Sequence, residues 1–191
     1  MVEVLFFHHS QGRTPGFLAL ADALRQEGHA VHAPDLFDGR TFDSIDEGMS
    51  YIRRTGFGEL IERGVATADA LRSDLVYAGV SFGVMSAQRL AQTRPGARGA
   101  VLLESAAPPD EFAPSWPAAV PVQFHGMAAD PIFVGEGDVE YARAIVAQAK
   151  QGELFLYPGD RHLFVDSSLP SYDAEATGLV LQRVLGFLAT L

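Results

Sequence analysis

Residues 75–93, "LVYAGVSFGVMSAQRLAQT", contain a short apolar run followed directly by a helix-forming segment. The run from Leu75 to Val80 is typical of a strand buried on both faces. The segment from Ser81 to Thr93 has apolar residues at helical spacing, and Pro95 lies where the helix has to end. Between the two, Ser81 is flanked by Gly79 and Gly83. This stretch predicts a βα unit joined by a tight turn.

Short apolar runs alternate with helix-period segments along the rest of the chain as well. Thr14 is a predicted N-cap followed by proline, and Gly28 lies where that helix should end. Strands are expected at 2–7 and at "HAVHAP", "LVYAGV", "GAVLLES", "VPVQFHG" and "ELFLYPG", with further helices at about 45–53, 57–71, 81–93, 138–150 and 172–190. Such a pattern indicates a parallel sheet with helices on both faces.

This organisation predicts one α/β domain over residues 1–191, with about six parallel strands. Right-handed crossovers place the carboxyl ends of all the strands along one edge of the sheet. Sheets of this kind hold their active sites at that edge. Residues just after the strands are therefore the first candidates for a functional site.

The composition excludes several classes of function. The chain has 191 residues and a net charge of -10, which disfavours binding to nucleic acid. Its longest apolar runs are too short to cross a bilayer, so no membrane partner is expected. The absence of cysteine excludes disulfides, thiolate metal sites and a cysteine nucleophile. The first residues have no basic region or small-residue cleavage site, so we expect a cytoplasmic protein.

The sequence Gly79-Val80-Ser81-Phe82-Gly83 has the G-x-S-x-G spacing of a nucleophile elbow. In that turn the glycines remove side chains that would clash, and the serine hydroxyl projects over the sheet edge. The helix N-terminus favours negative charge developing there. Ser81 is thus a candidate nucleophile. The alternative is a small-residue turn in which the serine only caps the helix.

An elbow serine needs a histidine base and an acid that orients it, in the chain order serine, acid, histidine. Asp130 follows the fifth predicted strand and His162 follows the sixth, each about one strand-plus-helix unit further along the chain. His162 would take the Ser81 proton, and Asp130 would hold the imidazole tautomer. Asp130 could instead be a turn residue before Pro131, with Asp160 as the orienting acid. His162 could simply end a strand.

The oxyanion hole of such a site consists of two backbone N–H groups. One is expected from Phe82, directly after the nucleophile, and the other from Ser10 in the loop "HHSQG" after the first strand. Alternatively, that loop only closes the strand. Its paired histidines also suggest a metal site together with His125, but their spacing matches no known zinc pattern. We therefore expect neither a metal nor a cofactor.

The segments "GHAVHAPDLFDGRTF", "GVSFG", "HGMAADPIF" and "YPGDRHLF", in this order, resemble the dienelactone hydrolase family. The resemblance covers nearly the whole chain. It implies a compact α/β-hydrolase fold without a full lid domain. It also implies an ester-cleaving hydrolase with Ser81, Asp130 and His162 as the catalytic triad.

The chain departs from the family pattern in three places. Ser81 stands where the best-known members have cysteine. His9 stands where they have a glutamate that helps control the thiol. Asp166 stands near the place of an arginine that holds a substrate carboxylate, and an aspartate there would repel that carboxylate. Three other residues could supply a cation instead: Arg53, Arg54 and Arg161.

These observations predict a cofactor-free serine hydrolase that cleaves a small ester, thioester or lactone through an acyl-enzyme on Ser81. The alternative is a non-catalytic α/β-hydrolase-like protein that binds a ligand or a partner, since fold does not fix function. A third possibility is the same fold with another chemistry, such as that of a perhydrolase or a lyase. The site is expected to be shallow and partly covered by residues 35–58 and the Trp116 loop. The sequence leaves the oligomeric state open.

Overall fold

The computed structural model describes residues 1–191 and contains a single six-stranded parallel sheet with six helices. The strands are β1 (Glu3–Phe7), β2 (Ala30–His32), β3 (Val76–Val80), β4 (Gly99–Leu103), β5 (Val122–Met127) and β6 (Gly152–Tyr157). The helices are α1 (Pro15–Gln26), α2 (Ile45–Thr55), α3 (Phe57–Ala66), α4 (Gly83–Thr93), α5 (Asp138–Gln148) and α6 (Ala174–Ala189). No helix is both long enough and apolar enough to cross a membrane. The predicted fold class is confirmed.

The order of the strands in the sheet is β2-β1-β3-β4-β5-β6, and all neighbouring pairs are parallel. The chain first moves outward from β1 to β2, then returns to the other side of β1 and continues in one direction. The order therefore reverses between β1 and β3. In open α/β sheets a crevice forms at this position, outside the carboxyl ends of the strands. The loop after β1 and the turn after β3 face each other there.

The sheet separates two apolar cores because successive side chains of each strand point to opposite faces. On β1, Leu5 and Phe7 belong to the core beneath α2 to α5, while Val4 and Phe6 belong to the core beneath α1 and α6. All five residues of β3 are buried. Helices on both faces explain why the strands read as continuous apolar runs rather than as alternating ones.

Several element boundaries differ from the predicted ones. The Thr14 side chain caps α1 as predicted and accepts a hydrogen bond from the Phe17 N–H at 3.1 Å. The helix expected at 57–71 ends at Ala66, where the Thr67 hydroxyl donates back to the Gly64 carbonyl at 2.6 Å. Side-chain bonds of this kind compete with the next helical turn. Residues 104–121, between β4 and β5, contain no helix, in agreement with the expected absence of a full lid domain.

Candidate active site

Ser81 occupies a strained turn between β3 and α4. Its φ is 49°, in the left-handed region that non-glycine residues rarely adopt, and its N–H donates to the Leu103 carbonyl at 2.8 Å. The helix therefore begins at Gly83, two residues later than predicted. A side chain at either glycine would collide with backbone: a Cβ on Gly79 would lie 2.4 Å from the Gly83 oxygen, and one on Gly83 would lie 2.3 Å from the Phe7 oxygen.

The structure brings Ser81, His162 and Asp130 together in one chain of hydrogen bonds. His162 Nε2 lies 2.9 Å from Ser81 Oγ, and His162 Nδ1 lies 2.7 Å from Asp130 Oδ2. Because Asp130 Oδ2 is an acceptor, His162 Nδ1 donates to it, and Nε2 is left to accept from the serine hydroxyl. This is the geometry that a serine nucleophile, its base and an orienting acid require.

Asp130 is held by the loop that it begins. Its Oδ1 accepts hydrogen bonds from the N–H groups of Ile132 and Phe133, at 2.8 and 3.2 Å, so it is also a turn residue. Asp130 is thus both a turn residue and the hydrogen-bond partner of His162, so the two alternatives from the sequence are compatible. Asp160, the alternative acid, is exposed and has no hydrogen bond to His162.

The electrostatic surroundings of His162 favour its charged form. Burial by itself would lower the pKa of His162, but the hydrogen bond to Asp130 and the charges of Glu104, Asp130 and Asp138 outweigh it and raise the pKa above its usual value.

Two backbone N–H groups, one in the loop after β1 and one in the elbow, have no partner within the protein. Ser10 and Phe82 are both buried, and neither of their N–H groups donates a hydrogen bond within the protein. The Ser10 carbonyl packs against α2, where a Cβ on Gly48 would lie 2.0 Å from the Ser10 oxygen. The loop is thus fixed between the sheet and a helix.

The two family departures His9 and Asp166 contact each other. His9 Nδ1 accepts the Gln11 N–H at 3.2 Å, so Nε2 carries the proton and donates to Asp166 Oδ2 at 2.7 Å. Asp166 also accepts hydrogen bonds from Thr14 and Ser168. Burial alone would raise the pKa of Asp166, but these hydrogen bonds lower it to about 2. Asp166 is therefore an anion that fixes the β1 loop, and it does not line the cavity beside Ser81.

The histidines considered as metal ligands have both ring nitrogens in hydrogen bonds with protein groups. The contacts are His8 with the Leu36 N–H and the His9 carbonyl, His9 as described, and His125 with Tyr157 and Gln123. Burial lowers the pKa of His8 to about 4 and that of His125 to about 3, so both are neutral at neutral pH. The ring nitrogens of these three histidines therefore stabilise the fold through hydrogen bonds.

Glu104 is a further functional candidate, and no motif in the sequence marks it. The predicted fourth strand, "GAVLLES", includes Glu104, but the strand ends at Leu103 and Glu104 lies fully buried at the carboxyl edge of the sheet. Glu104, Asp130 and His162 each offer one donor atom, and these atoms lie within 4.8 Å of one another. A metal ion there would have to displace the bond of His162 either to Asp130 or to Ser81. An acidic residue directly after an apolar strand was the signal that could have identified Glu104.

A cavity of about 870 Å³ opens beside Ser81 and is lined mainly by apolar side chains. The apolar lining includes Met49, Phe57, Ile61, Phe82, Met85, Phe112, Ile132 and Tyr141. Segment 35–58 therefore contributes to the wall. Trp116 is buried in the core, and the parts of its loop that line the cavity are residues 105–108 and 111–112.

The charged groups of the cavity are mostly acidic. Three carboxylates line it, those of Glu111, Glu136 and Asp138. Its one cation, Arg89, pairs with Glu62 at 2.6 Å. The arginines proposed from the sequence as substrate-binding cations lie elsewhere: Arg53 and Arg54 are exposed on α2, and Arg161 donates to the Tyr172 carbonyl.

Solved structures with the same fold are numerous among hydrolases. A candidate dienelactone hydrolase from Klebsiella pneumoniae is 20% identical, with a TM-score of 0.75 over 99% of this chain and 87% of that one. A dienelactone hydrolase-like promiscuous phosphotriesterase from metagenomic libraries is 19% identical, with a TM-score of 0.77 over 100% and 87%. A candidate hydrolase of the alpha/beta superfamily from Xanthomonas campestris is 19% identical, with a TM-score of 0.69 over 100% of both chains.

Two comparisons of the sequence were made, and one of them gives the family. A search of curated proteins found no match. The dienelactone hydrolase family matches residues 2–191, which is almost the whole chain. This chain belongs to the dienelactone hydrolase family.

Proposed function

We propose that this member of an ester-cleaving hydrolase family is a serine esterase that works through an acyl-enzyme on Ser81. The observation that carries the proposal is the hydrogen-bond chain from Ser81 through His162 to Asp130, which begins at a residue with a φ of 49°. Strain of this kind persists where the surrounding structure enforces it, and it is concentrated at functional sites.

In the first half of the reaction, Ser81 Oγ attacks the ester carbonyl carbon while its proton passes to His162 Nε2. The carbonyl oxygen becomes an oxyanion, which accepts hydrogen bonds from the Ser10 and Phe82 N–H groups. Asp130 stabilises the imidazolium. The C–O bond to the alcohol then breaks, His162 gives its proton to the leaving alkoxide, and the acyl group remains on Ser81.

In the second half, a water molecule replaces the alcohol. His162 Nε2 takes a proton from the water as its oxygen attacks the acyl carbon. The second tetrahedral intermediate collapses, the bond to Ser81 Oγ breaks, and His162 returns the proton to the serine. The products are a carboxylic acid and an alcohol, and the site is restored without a cofactor.

A fluorophosphonate probe tests the proposed nucleophile. We expect the folded protein to be labelled on the peptide that contains Ser81, because the probe reacts only with a serine that a neighbouring base activates. Mass spectrometry of the digested protein identifies the labelled residue. Urea-denatured protein should remain unlabelled. Label on another serine, or none on the folded protein, would refute the proposal.

The substrates that fit the cavity best are small esters with apolar or cationic acyl groups. The apolar walls favour hydrocarbon, because burying it removes apolar surface from water. The carboxylates of Glu111, Glu136 and Asp138 repel an anionic substrate. The only lining cation, Arg89, is already paired with Glu62. A substrate with a free carboxylate is therefore disfavoured.

Two esters of equal chain length test this charge preference. We expect kcat/KM for 4-nitrophenyl butyrate to exceed that for mono-4-nitrophenyl succinate by about tenfold. Repulsions of about 0.5 kcal/mol from each of three carboxylates sum to about 1.5 kcal/mol, and a tenfold change corresponds to about 1.4 kcal/mol. Release of 4-nitrophenolate measures both rates. The ratio of the two kcat/KM values should decrease at 0.5 M salt and in the Glu111→Gln/Glu136→Gln variant. Equal rates for the two esters would contradict the charge preference.

A further inference from the structure

Glu104 is a buried carboxylate for which the triad mechanism has no use. It follows β4 with a φ of 62°, a conformation that strains a non-glycine residue. Its side chain is fully buried, and Oε2 has no hydrogen-bond partner. Burying a carboxyl group with one unpaired oxygen is costly, so its presence at the sheet edge calls for an explanation.

Glu104 is fixed between the strand that precedes Asp130 and the loop of His162. Its N–H donates to the His125 carbonyl on β5 at 2.7 Å. Its Oε1 accepts the Phe164 N–H at 3.1 Å, two residues after His162. One of its oxygens, one oxygen of Asp130 and a ring nitrogen of His162 lie within 4.8 Å of one another. The carboxylate is thus held near the imidazole from a different strand than Asp130.

A purely structural role would not need a carboxylate. A glutamine could accept the Phe164 N–H equally well and would not add negative charge to a buried site beside Asp130. A metal-binding role would require His162 to give up its bond to Asp130 or to Ser81. What remains for the negative charge is an effect on the imidazole ring.

We propose that Glu104 is a second carboxylate partner of His162, a positioning residue that stabilises the imidazolium formed when Ser81 gives up its proton. The proposal rests on the proposed serine esterase function. No proton passes to Glu104 in the reaction, since protons move only among Ser81, His162, the leaving group and the attacking water. The charge of Glu104 adds to that of Asp130 and lowers the energy of the charged intermediate.

The protonation of the two groups agrees with this arrangement. Burial, together with the nearby Asp130, raises the pKa of Glu104 to about 7, while His162 acts in the opposite direction. The charged groups that face His162 are Glu104 from β4, Asp130 from the loop after β5 and Asp138 from the start of α5. A positive charge on His162 therefore favours the ionised form of Glu104.

The variant Glu104→Gln separates charge from shape, because the amide oxygen can still accept the Phe164 N–H. We expect kcat/KM at its pH optimum to fall about tenfold, as one stabilising charge is lost from the imidazolium. Since a negative neighbour raises the pKa of His162, its removal should move the acidic limb of the pH profile to lower pH. Asp160→Asn, which removes an exposed carboxylate two residues from His162, should change neither quantity.

A double variant tests whether Glu104 acts on the same imidazole as Asp130. We expect Asp130→Asn to keep a rate above that of Ser81→Ala, and Asp130→Asn/Glu104→Gln to fall to the Ser81→Ala level. An unchanged pH profile in Glu104→Gln, with a double variant no slower than Asp130→Asn, would overturn the proposal. A wild type no faster than Ser81→Ala would instead overturn the esterase function itself, and the inference with it.

A measurement on the unsubstituted protein avoids dependence on the folding of the variants. In an NMR titration with labelled glutamate and histidine, the Glu104 carboxyl and the His162 ring should titrate as a coupled pair, each responding to the ionisation of the other. Independent titration of the two groups would contradict the proposal even if every variant misfolded.

Discussion

Ser81→Ala should lower kcat/KM for 4-nitrophenyl acetate by about ten-thousand-fold or more, the scale found when a serine nucleophile is removed from a triad. The alanine leaves His162 and Asp130 in place but removes the oxygen that attacks the carbonyl. The rate that remains comes from the oxyanion donors and from binding alone. Release of 4-nitrophenolate under steady-state conditions measures the loss.

The control for Ser81→Ala is Ser167→Ala, which removes an exposed hydroxyl outside the site and should keep the full rate. Because Ser81 has a positive φ, the alanine variant should also be tested for stability, so that a folding defect is not mistaken for lost chemistry. Equal rates for wild type and Ser81→Ala would favour the alternative, a non-catalytic protein that keeps the triad geometry.

The parallel-sheet rule explains why Ser81, Asp130 and His162 could be proposed together from the sequence. Each follows a strand, and the carboxyl ends of parallel strands share one edge, so residues far apart in the chain were expected near each other. The chain order then gave each residue a candidate role. What the sequence could not supply was the distances between these side chains.

The contacts that surround these three residues were harder to predict. His9 and Asp166 each looked like an isolated departure from the family pattern, because no periodicity links residues 157 positions apart. Glu104 follows an apolar run, and a single acidic residue at that place is typical of the polar boundary of a strand. Contacts of this kind depend on loop conformation, which local propensity does not determine.

Element boundaries failed where a local conformation overrode the apolar spacing. The spacing from Ser81 onward is helical, yet the helix starts at Gly83 because Ser81 has a positive φ. Likewise, the apolar residues up to Leu71 extend the helical pattern beyond Ala66, where the helix ends. Periodicity reports which face is buried, and it does not fix the backbone at the ends.

Gly83→Ala should lower the free energy of unfolding by about 3 kcal/mol, the upper part of the range for overpacking a core. Helix propensity alone predicts the opposite sign, since alanine is favoured over glycine in a helix by about 1 kcal/mol. Packing should prevail, because the added Cβ would lie 2.3 Å from the Phe7 oxygen and 2.7 Å from the His8 oxygen. Both are backbone atoms of β1 and the loop after it, next to the middle of the sheet, and they cannot move aside as a flexible side chain can.

Gly178→Ala is the matched control, because it makes the same substitution in a helix where nothing lies within 4 Å of the added Cβ. Here propensity acts alone, and we expect stability to rise by about 0.5–1 kcal/mol. Urea denaturation of the wild type and both variants measures these changes in the free energy of unfolding. The loss expected in Gly83→Ala corresponds to a melting temperature about 6–12 °C below that of the wild type. A Gly83→Ala protein as stable as Gly178→Ala would mean that the close approach of α4 to β1 does not require glycine. The positive φ of Ser81 would then have to be enforced by some other contact.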